Sequence, residues 1–290
     1  MSISSLKPIS KYGIDQVIRG KGYEAKVKYS SLNERIVVKE YSGGNLINLG
    51  KRLKGEASRK DYGKIWAKIR AKDHKKFMDV GFEVEAVIKD FYIDEDAMLM
   101  AFYPDKKRGQ IISEEEDEII KDIEKLETLL PQVKPENNCK FKLADSSDAE
   151  DISELYEEVF TSYPTPIFDA EYIGETIEEG MIYGLIYEDD QLVAAASAET
   201  NSEYKNAEMT DFATLPSKRG NGYASYILEE LEEELKARNY HTLYSIARAI
   251  SYGMNKVFKV AGYEYTGRLI QNCHIAGDFE DMNLWCKVIE

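Results

Sequence analysis

Apolar residues recur at helical spacing over 222–238, where Ala224, Ile227, Leu228, Leu231 and Leu235 form one stripe and acidic residues fill the opposite face. Lys236 and Arg238 fall in the last turn, where cations suit the helix dipole, and Asn239 is a good stop. Just ahead, 206–215 (NAEMTDFATL) reads as a strand. Ile119, Ile120, Ile123, Leu126 and Leu130 mark a helix over 113–130, opened by Ser113 and Glu116 at capping-box spacing. Ile152, Leu155, Tyr156 and Val159 mark another, opened by Ser147 and Glu150. Strands are expected at 140–144, 181–187, 191–198, 242–247, 264–271 and 283–288, with a turn at Asp189-Asp190 and helices at 169–179 and from Ser251. The run 131–138 (PQVKPENN) breaks this pattern and reads as a linker. The expected organisation is an N-terminal domain over 1–112, a connecting helix and linker over 113–138, and a C-terminal domain over 139–290.

The N-terminal domain carries a faint copy of the C-terminal one. Phe77-x-x-x-Gly81-Phe82-Glu83 parallels Phe258-x-x-x-Gly262-Tyr263-Glu264. A strand-like run precedes each, at 65–69 and 243–247, and a strand pair follows each, ending at 98–103 and 284–288.

The run Arg219-Gly220-Asn221-Gly222-Tyr223-Ala224 joins the strand at 206–215 to the helix at 222–238. A helix N-terminus exposes backbone N–H groups without intrahelical partners, and the dipole adds partial positive charge. With glycines letting the backbone come close, this makes an anion site suited to a pyrophosphate. A look-alike, Arg19-Gly20-Lys21-Gly22-Tyr23, runs into 24–29, which alternates apolar and polar residues as a strand does. It lacks the helix and is expected to be a hairpin turn.

The spacing Arg219-x-x-Gly222-x-Ala224 after a strand and Pro216 resembles the acetyl-CoA motif of the GNAT N-acetyltransferases, and 251–264 (SYGMNKVFKVAGYE) is similar to the closing helix and strand of that family. Over about 75–285 the chain resembles the β-lysine N6-acetyltransferase family more narrowly. The likeness is carried by Gly81-Phe82-Glu83-Val84-Glu85-Ala86 with Phe91-Tyr92, by Tyr163-Pro164-Thr165-Pro166-Ile167-Phe168, and by 208–214 (EMTDFAT). Ala247-Arg248-Ala249, 251–255 (SYGMN) and 281–285 (DMNLW) complete it. The resemblance implies an α/β (α+β) protein, a GNAT acetyltransferase fold with a mixed central sheet, preceded by a degenerate GNAT-like N-terminal half. It also implies transfer of acetyl from acetyl-CoA to the side-chain amine of β-lysine, giving N6-acetyl-β-lysine, a compatible solute in that family. The N-terminal half shows no glycine turn before a helix, so it is expected not to bind CoA but to pack against the catalytic domain and wall the acceptor pocket.

Transfer from a thioester to an amine requires a deprotonated amine, a donor for the oxyanion and a route for the leaving thiolate. A primary amine of pKa about 10 is mostly charged at neutral pH, so a base is expected. Glu208 and Asp211 lie on the strand before the glycine turn and are both candidates. Three residues apart, they face opposite sides of a regular strand, and share a side only if a bulge intervenes, as it does in the strands of this family. The resemblance also implies that the backbone of Phe212, Ala213 and Thr214 pairs with the pantetheine arm and that the CoA set comprises Arg219, Gly220, Asn221, Gly222, Tyr223, Ala224 and Asn255. Many GNAT enzymes carry a Tyr where this chain has Phe258, which donates no proton; Tyr252 is the best candidate replacement acid, ahead of Tyr263, although a thiol of pKa about 8.5 leaves tolerably without one. Arg248 is a candidate to grip an acceptor carboxylate, Glu199 to meet an ammonium, and Tyr163 and Phe168 to line the aliphatic part.

The net charge of −15 argues against nucleic-acid binding, which needs clustered Lys and Arg, and is compatible with a cationic small substrate. The cysteines (Cys139, Cys273, Cys286) and histidines (His74, His241, His274) have no metal or disulfide spacing, so no metal is expected. No apolar run suggests a leader or membrane span, and a cytoplasmic protein is expected. Two other readings stay open: N-acetylation of another small amine or amino acid, and a non-catalytic acyl-CoA-binding sensor. Nothing in the sequence fixes the oligomeric state.

Overall fold

The computed structural model describes residues 12–110, 113–128, 139–275 and 277–289. The expected linker at 131–138 and the last two positions of the helix expected over 113–130 lie outside them; within them that helix ends at Glu124, short of its expected end, and 125–128 are not helical. The chain divides into two units, Met1–Glu85 with Met98–Gln110, and Ala86–Ala97 with Ile111–Glu290.

The first sheet is built from β1 (Ile14–Gly20), β2 (Tyr23–Ser30), β3 (Arg35–Gly43), β4 (Lys64–Arg70), β5 (Glu83–Ile88) and β6 (Ala97–Phe102), with helix α1 (Leu46–Lys60) after β3 and α2 (His74–Met78) after β4. Its order is β1-β2-β3-β4-β6-β5. β1 and β2 close at Gly20↔Tyr23, so Lys21-Gly22 is a two-residue hairpin turn, as the alternation over 24–29 predicts. Helix α1 buries Leu46, Leu49, Leu53 and Ala57, a stripe at helical spacing, and each buried Leu contributes about 1.5–3 kcal/mol. One expectation is corrected here. This half does have a glycine turn before a helix: Gly43 (φ 94°) and Gly44 stand directly ahead of α1. The paired backbone forces the first of them, because a Cβ on Gly43 would lie 2.4 Å from the Gly22 carbonyl oxygen.

In the second unit, α3 (Glu114–Glu124) is followed by β7 (Cys139–Leu143), α4 (Ala149–Val159), α5 (Ala170–Glu178), β8 (Ile182–Glu188), β9 (Gln191–Asn201) and β10 (Asn206–Thr214). Then come α6 (Tyr223–Ala237), β11 (Thr242–Arg248), α7 (Tyr252–Val260), β12 (Glu264–Ile275) and β13 (Asp278–Val288). The seven-stranded order is β12-β13-β11-β10-β9-β8-β7. Without β7, this is the order of the first sheet taken strand for strand, with α6 and α7 where that sheet has α1 and α2. The parallel pair falls at the same place, β3 with β4 and β10 with β11. Both halves carry the same aromatic stack. Phe77 meets Phe82 at 5.4 Å and Tyr41 at 6.0 Å; Phe258 meets Tyr263 at 5.2 Å and Phe212 at 5.6 Å. The repeat seen in the sequence from 65 onward therefore extends back to β1, giving two GNAT-like halves of mixed sheet.

Two caps differ from expectation. The capping box before α4 uses Asp145 and Asp148 rather than Ser147 and Glu150, because an added turn over Ser146–Asp148 starts the helix region earlier. Ser113 stands at the N-cap of α3 without a side-chain cap bond, and Glu116 is buried. The segment Ala86–Ala97 and α3 group with the second unit, unlike the division drawn at 113–138. The first is tied there by hydrogen bonds: Asn206 Nδ2 donates to the Phe91 carbonyl at 2.7 Å, and Thr242 Oγ1 donates to those of Lys89 (3.2 Å) and Asp90 (3.3 Å).

Candidate active site

Strand β10 has two unlike edges. Toward β9 it stays paired to its last residue, Thr214↔Ala194. Toward β11 the parallel ladder ends at Glu208↔Tyr244, while β10 runs on to Thr214 and β11 to Arg248. The strands splay, and the edge of β10 that includes Phe212, Ala213 and Thr214 is left without a strand neighbour on that side. Backbone groups at such an edge demand partners.

A bulge interrupts the β9–β10 ladder between Thr210 and Ala213, and Asp211 takes φ 55°, rare for a residue other than glycine. This decides which way the carboxylates face. Glu208 lies opposite Glu199, and Ser197, two residues before Glu199 and so on the same face, donates to Asp211 Oδ2 at 2.7 Å. Glu199, Glu208 and Asp211 thus share one face. Asp211 is buried; it also accepts from Tyr163 Oη at 2.7 Å and from Thr210 Oγ1 at 3.2 Å. Burial raises its pKa, and the hydroxyl donors pull it partly back.

Of the phenols around these carboxylates the sequence reading singled out Tyr163 and missed Tyr156, Tyr172, Tyr183 and Tyr244. Burial, then the nearby acids, raises the pKa of Tyr163 and Tyr244, and of Tyr172, the last to about 12. Tyr244 donates to Glu208. The Tyr156 hydroxyl, fully buried in the field of Asp211, has no hydrogen-bond partner among the described residues. Glu199 makes no hydrogen bond or ion pair among the described residues, and the groups acting most strongly on Asp211, Tyr163, Tyr172, Tyr183 and Tyr244 include no lysine or arginine. Like charges facing each other across a ladder are destabilising. A cation placed there would relieve them. Apart from Tyr163, the sequence signal for this cluster is a high count of tyrosines.

Past β10, Pro216–Lys218 makes one tight turn, Gly220 (φ 88°) and Gly222 (φ 79°) follow, and α6 starts at Tyr223 with no side-chain cap and no acidic residue in its first turn. Nothing lies within 4 Å of where a Cβ on Gly220 would sit. Uncapped N–H groups, open space and the free edge of β10 together fit a pyrophosphate with an extended arm. Arg219 is exposed, with Nε 3.4 Å from the Thr214 carbonyl, and Asn221 Nδ2 donates to that of Lys218 at 3.1 Å. Tyr223 turns inward, its hydroxyl 3.1 Å from Glu188 Oε2 and 3.4 Å from Cys139 Sγ, so it offers an anion only its backbone; Ala224 is half-buried.

Two of the expected residues, Asn255 and Arg248, are already engaged within the protein, while Tyr252 stands at the helix start where it was expected. Asn255 is fully buried and its amide is engaged within the protein: Nδ2 donates to the carbonyls of Arg248 (2.9 Å) and Ser251 (2.8 Å), and Oδ1 accepts from Asn283 (2.9 Å) and Trp285 (2.8 Å). It pins the end of β11 to α7 and β13 and has no capacity left for a cofactor. Arg248 pairs with Glu280 through two bonds of 2.5 and 2.6 Å, so its fork is already filled. Tyr252 opens α7 with 43% of its surface exposed. Tyr163 and Phe168 are half-buried against the core of this unit. Phe258 is buried beneath Phe212.

No group of His, Cys, Asp and Glu among the described residues could hold a metal ion, and no helix among them is long and apolar enough to cross a membrane. Residues 149–263 match the acetyltransferase (GNAT) family. The chain is 35% identical to the N-acetyltransferase YodP of Bacillus subtilis over 93% of its length and 98% of that protein. It is 34% identical to a β-lysine N(6)-acetyltransferase of Methanococcus maripaludis, over 91% of its length and 96% of that protein. It is 32% identical to another of that name from Methanosarcina mazei, over 82% and 95%.

Proposed function

The chain belongs to the β-lysine N6-acetyltransferase family of GNAT N-acetyltransferases and is an acetyl-CoA-dependent N-acetyltransferase; from this we propose that its acceptor is β-lysine and its product N6-acetyl-β-lysine, a compatible solute made in the cytoplasm. The observation that carries the choice of a cationic amino acid is the face bearing Glu199, Glu208 and Asp211 among tyrosines, with no cation against Glu199. Acetyl-CoA supplies the activated acyl group as a thioester. The N–H groups of 220–224, with Arg219 alongside, would hold its pyrophosphate, and the free edge at Phe212, Ala213 and Thr214 would hold its arm.

Glu208, at the point where the strands part, takes a proton from the acceptor's side-chain ammonium. The neutral nitrogen attacks the thioester carbon, a C–N bond forms, the C–S bond breaks, and the second proton released by the nitrogen is taken up by the departing sulfur, which leaves as the thiol. Asp211 is enclosed by Ser197, Tyr163 and Thr210 and holds the bulge and Tyr163 in place; it is the alternative base. Tyr252 is the remaining hydroxyl for the thiolate, which at a thiol pKa of about 8.5 also leaves unassisted. Tyr163 and Phe168 line the aliphatic chain. Arg248 meets the carboxylate only by exchanging Glu280 for it.

The test is turnover of acetyl-CoA with lysine, β-lysine, ornithine and polyamines, with mass spectrometry to locate the acetyl group. Acetyl on the side-chain amine of β-lysine, at the highest kcat/KM of the panel, is expected. Acetyl on the β-amine, or no turnover of β-lysine, overturns the assignment. Thiol release with none of the amines would favour an acyl-CoA sensor.

A further inference from the structure

The segment 89–96 brings aromatic rings to the edge of the acidic face. It forms a tight turn: Tyr92 N donates to the Glu95 carbonyl at 2.9 Å, Asp94 N to that of Tyr92 at 3.0 Å, and Asp90 N to Asp96 Oδ1 at 3.0 Å. Ile93 holds φ 75°, a costly conformation for a β-branched residue. The turn is anchored at the first residues of β10 and β11 by the bonds from Asn206 and Thr242. Phe91 packs on Tyr244 at 5.8 Å, and Tyr92 meets Tyr204, from the β9–β10 loop, at 5.1 Å and 82°.

Tyr244 joins this turn to the chemistry. It is the register partner of Glu208 on β11, donates to Glu208, and lies in the fields of both Glu199 and Tyr92. The pair Glu199/Glu208 is therefore bordered on one side by Asp211 and its hydroxyl donors, and on the other by Tyr92, Tyr204 and Phe91. A diamino acceptor carries two ammonium groups. Only the reacting one yields its proton to Glu208, and the other stays charged throughout turnover. Glu199, two residues along β9 from the Ser197 that holds Asp211, has no cation against it among the described residues, and aromatic faces attract a desolvated ammonium.

Resting on the acetyltransferase reading, we propose that Tyr92 and Tyr204, with Glu199, form the subsite for the non-reacting ammonium of a diamine or diamino acid, and so select such acceptors over monoamines of equal length. The subsite determines which amine is used and leaves acetyl-CoA binding alone.

The experiment is steady-state kinetics with β-lysine and with 6-aminohexanoate, which lacks the second nitrogen, or with the best diamine of the panel and its monoamine counterpart. Wild type is expected to favour the diamine. Tyr92→Ala should raise the diamine KM about tenfold or more, leave kcat within about threefold, and leave the monoamine constants and the KM for acetyl-CoA unmoved. Tyr204→Ala should act in the same direction. Tyr92→Phe keeps the ring face and should stay within about threefold of wild type. Equal losses on both acceptors, or a Tyr92→Phe as impaired as Tyr92→Ala, overturn the proposal. So does a wild-type enzyme that prefers the monoamine, although acetyl transfer then stands; one that acetylates neither overturns both readings.

Discussion

In the six-stranded half, β3 and β4 part after Val38 and Ala67, and the Tyr41 hydroxyl closes the gap, accepting from Arg70 N at 3.0 Å and donating to Asp73 Oδ2 at 3.1 Å. In the seven-stranded half, β10 and β11 part after Glu208 and Tyr244. Counting from the first parallel pair, the residue at the place of Tyr41 is Phe212, which packs on Phe258 but has no hydroxyl to bridge the strands. The helix entries differ in the same sense. Only Gly44 and Asn45 separate β3 from α1, and Asn45 N is already bonded to the Gly22 carbonyl at 3.0 Å, with Nδ2 on that of Lys21. The entry to α6 is longer, running through the turn Pro216–Lys218 and two glycines; neither helix has a side-chain cap. One strand order thus supports either a closed wedge or an open one. The open wedge needs a longer turn and a side chain too short of polar atoms to fill the gap.

The largest effect expected is on the chemistry, which the proposed function places in the open half. Glu208→Gln should lower kcat/KM about 10²-fold or more, and wild-type kcat/KM should rise with pH as base and amine lose protons. If steady-state kinetics show both Glu208→Gln and Asp211→Asn near wild type, the base lies elsewhere. The glycine turns give the next contrast. Gly222→Asp should weaken CoA binding at least about tenfold in calorimetry, whereas Gly44→Asp, at a position with nothing within 4 Å of a Cβ, should leave it unchanged. Equal losses would mean that both helix entries bind the nucleotide.

Exchanging the wedge residues should produce smaller, reciprocal effects. Phe212→Tyr should raise the KM for acetyl-CoA a few-fold without moving the acceptor KM. Tyr41→Phe should leave both constants alone and cost about 1–2 kcal/mol in denaturant unfolding, from two lost hydrogen bonds. A Tyr41→Phe that changed the KM for acetyl-CoA would contradict the closed-wedge account. The smallest effect concerns α3, which has no counterpart among the described residues of the six-stranded half. Burial and then Asp281 raise the Glu116 carboxyl to about 7, partly offset by Arg268. The folded state therefore binds more protons than the unfolded state between the ordinary 4.5 and about 7, so this group makes stability fall as pH rises through that window. Glu116→Gln should flatten that part of a Tm-against-pH curve, by about 2–4 °C for each kcal/mol involved. An unchanged slope would show that Glu116 titrates normally.

Helix α6, the glycine turn before it and the strands around it were legible because their signals are local: a 3.6-residue stripe, a missing Cβ and a two-residue alternation act within a few residues of the backbone they shape. The Phe–Gly–aromatic repeat was legible for the same reason. The extension of that repeat back to β1 was not, because β1 to β3 share an alternation that any half-buried strand has, and only the strand order reveals the match. Tertiary structure alone decided that Glu208 and Asp211 face one way, since the φ of 55° at Asp211 belongs to a bulge that exists only against β9. It also turned Asn255 inward to Asn283 and Trp285, filled the fork of Arg248 with Glu280, and brought the backbone of Phe91 to Asn206 across 115 positions of chain. Bulges, splayed ladders and long-range pairs depend on which strand lies alongside, and a residue's own neighbours in sequence do not carry that information.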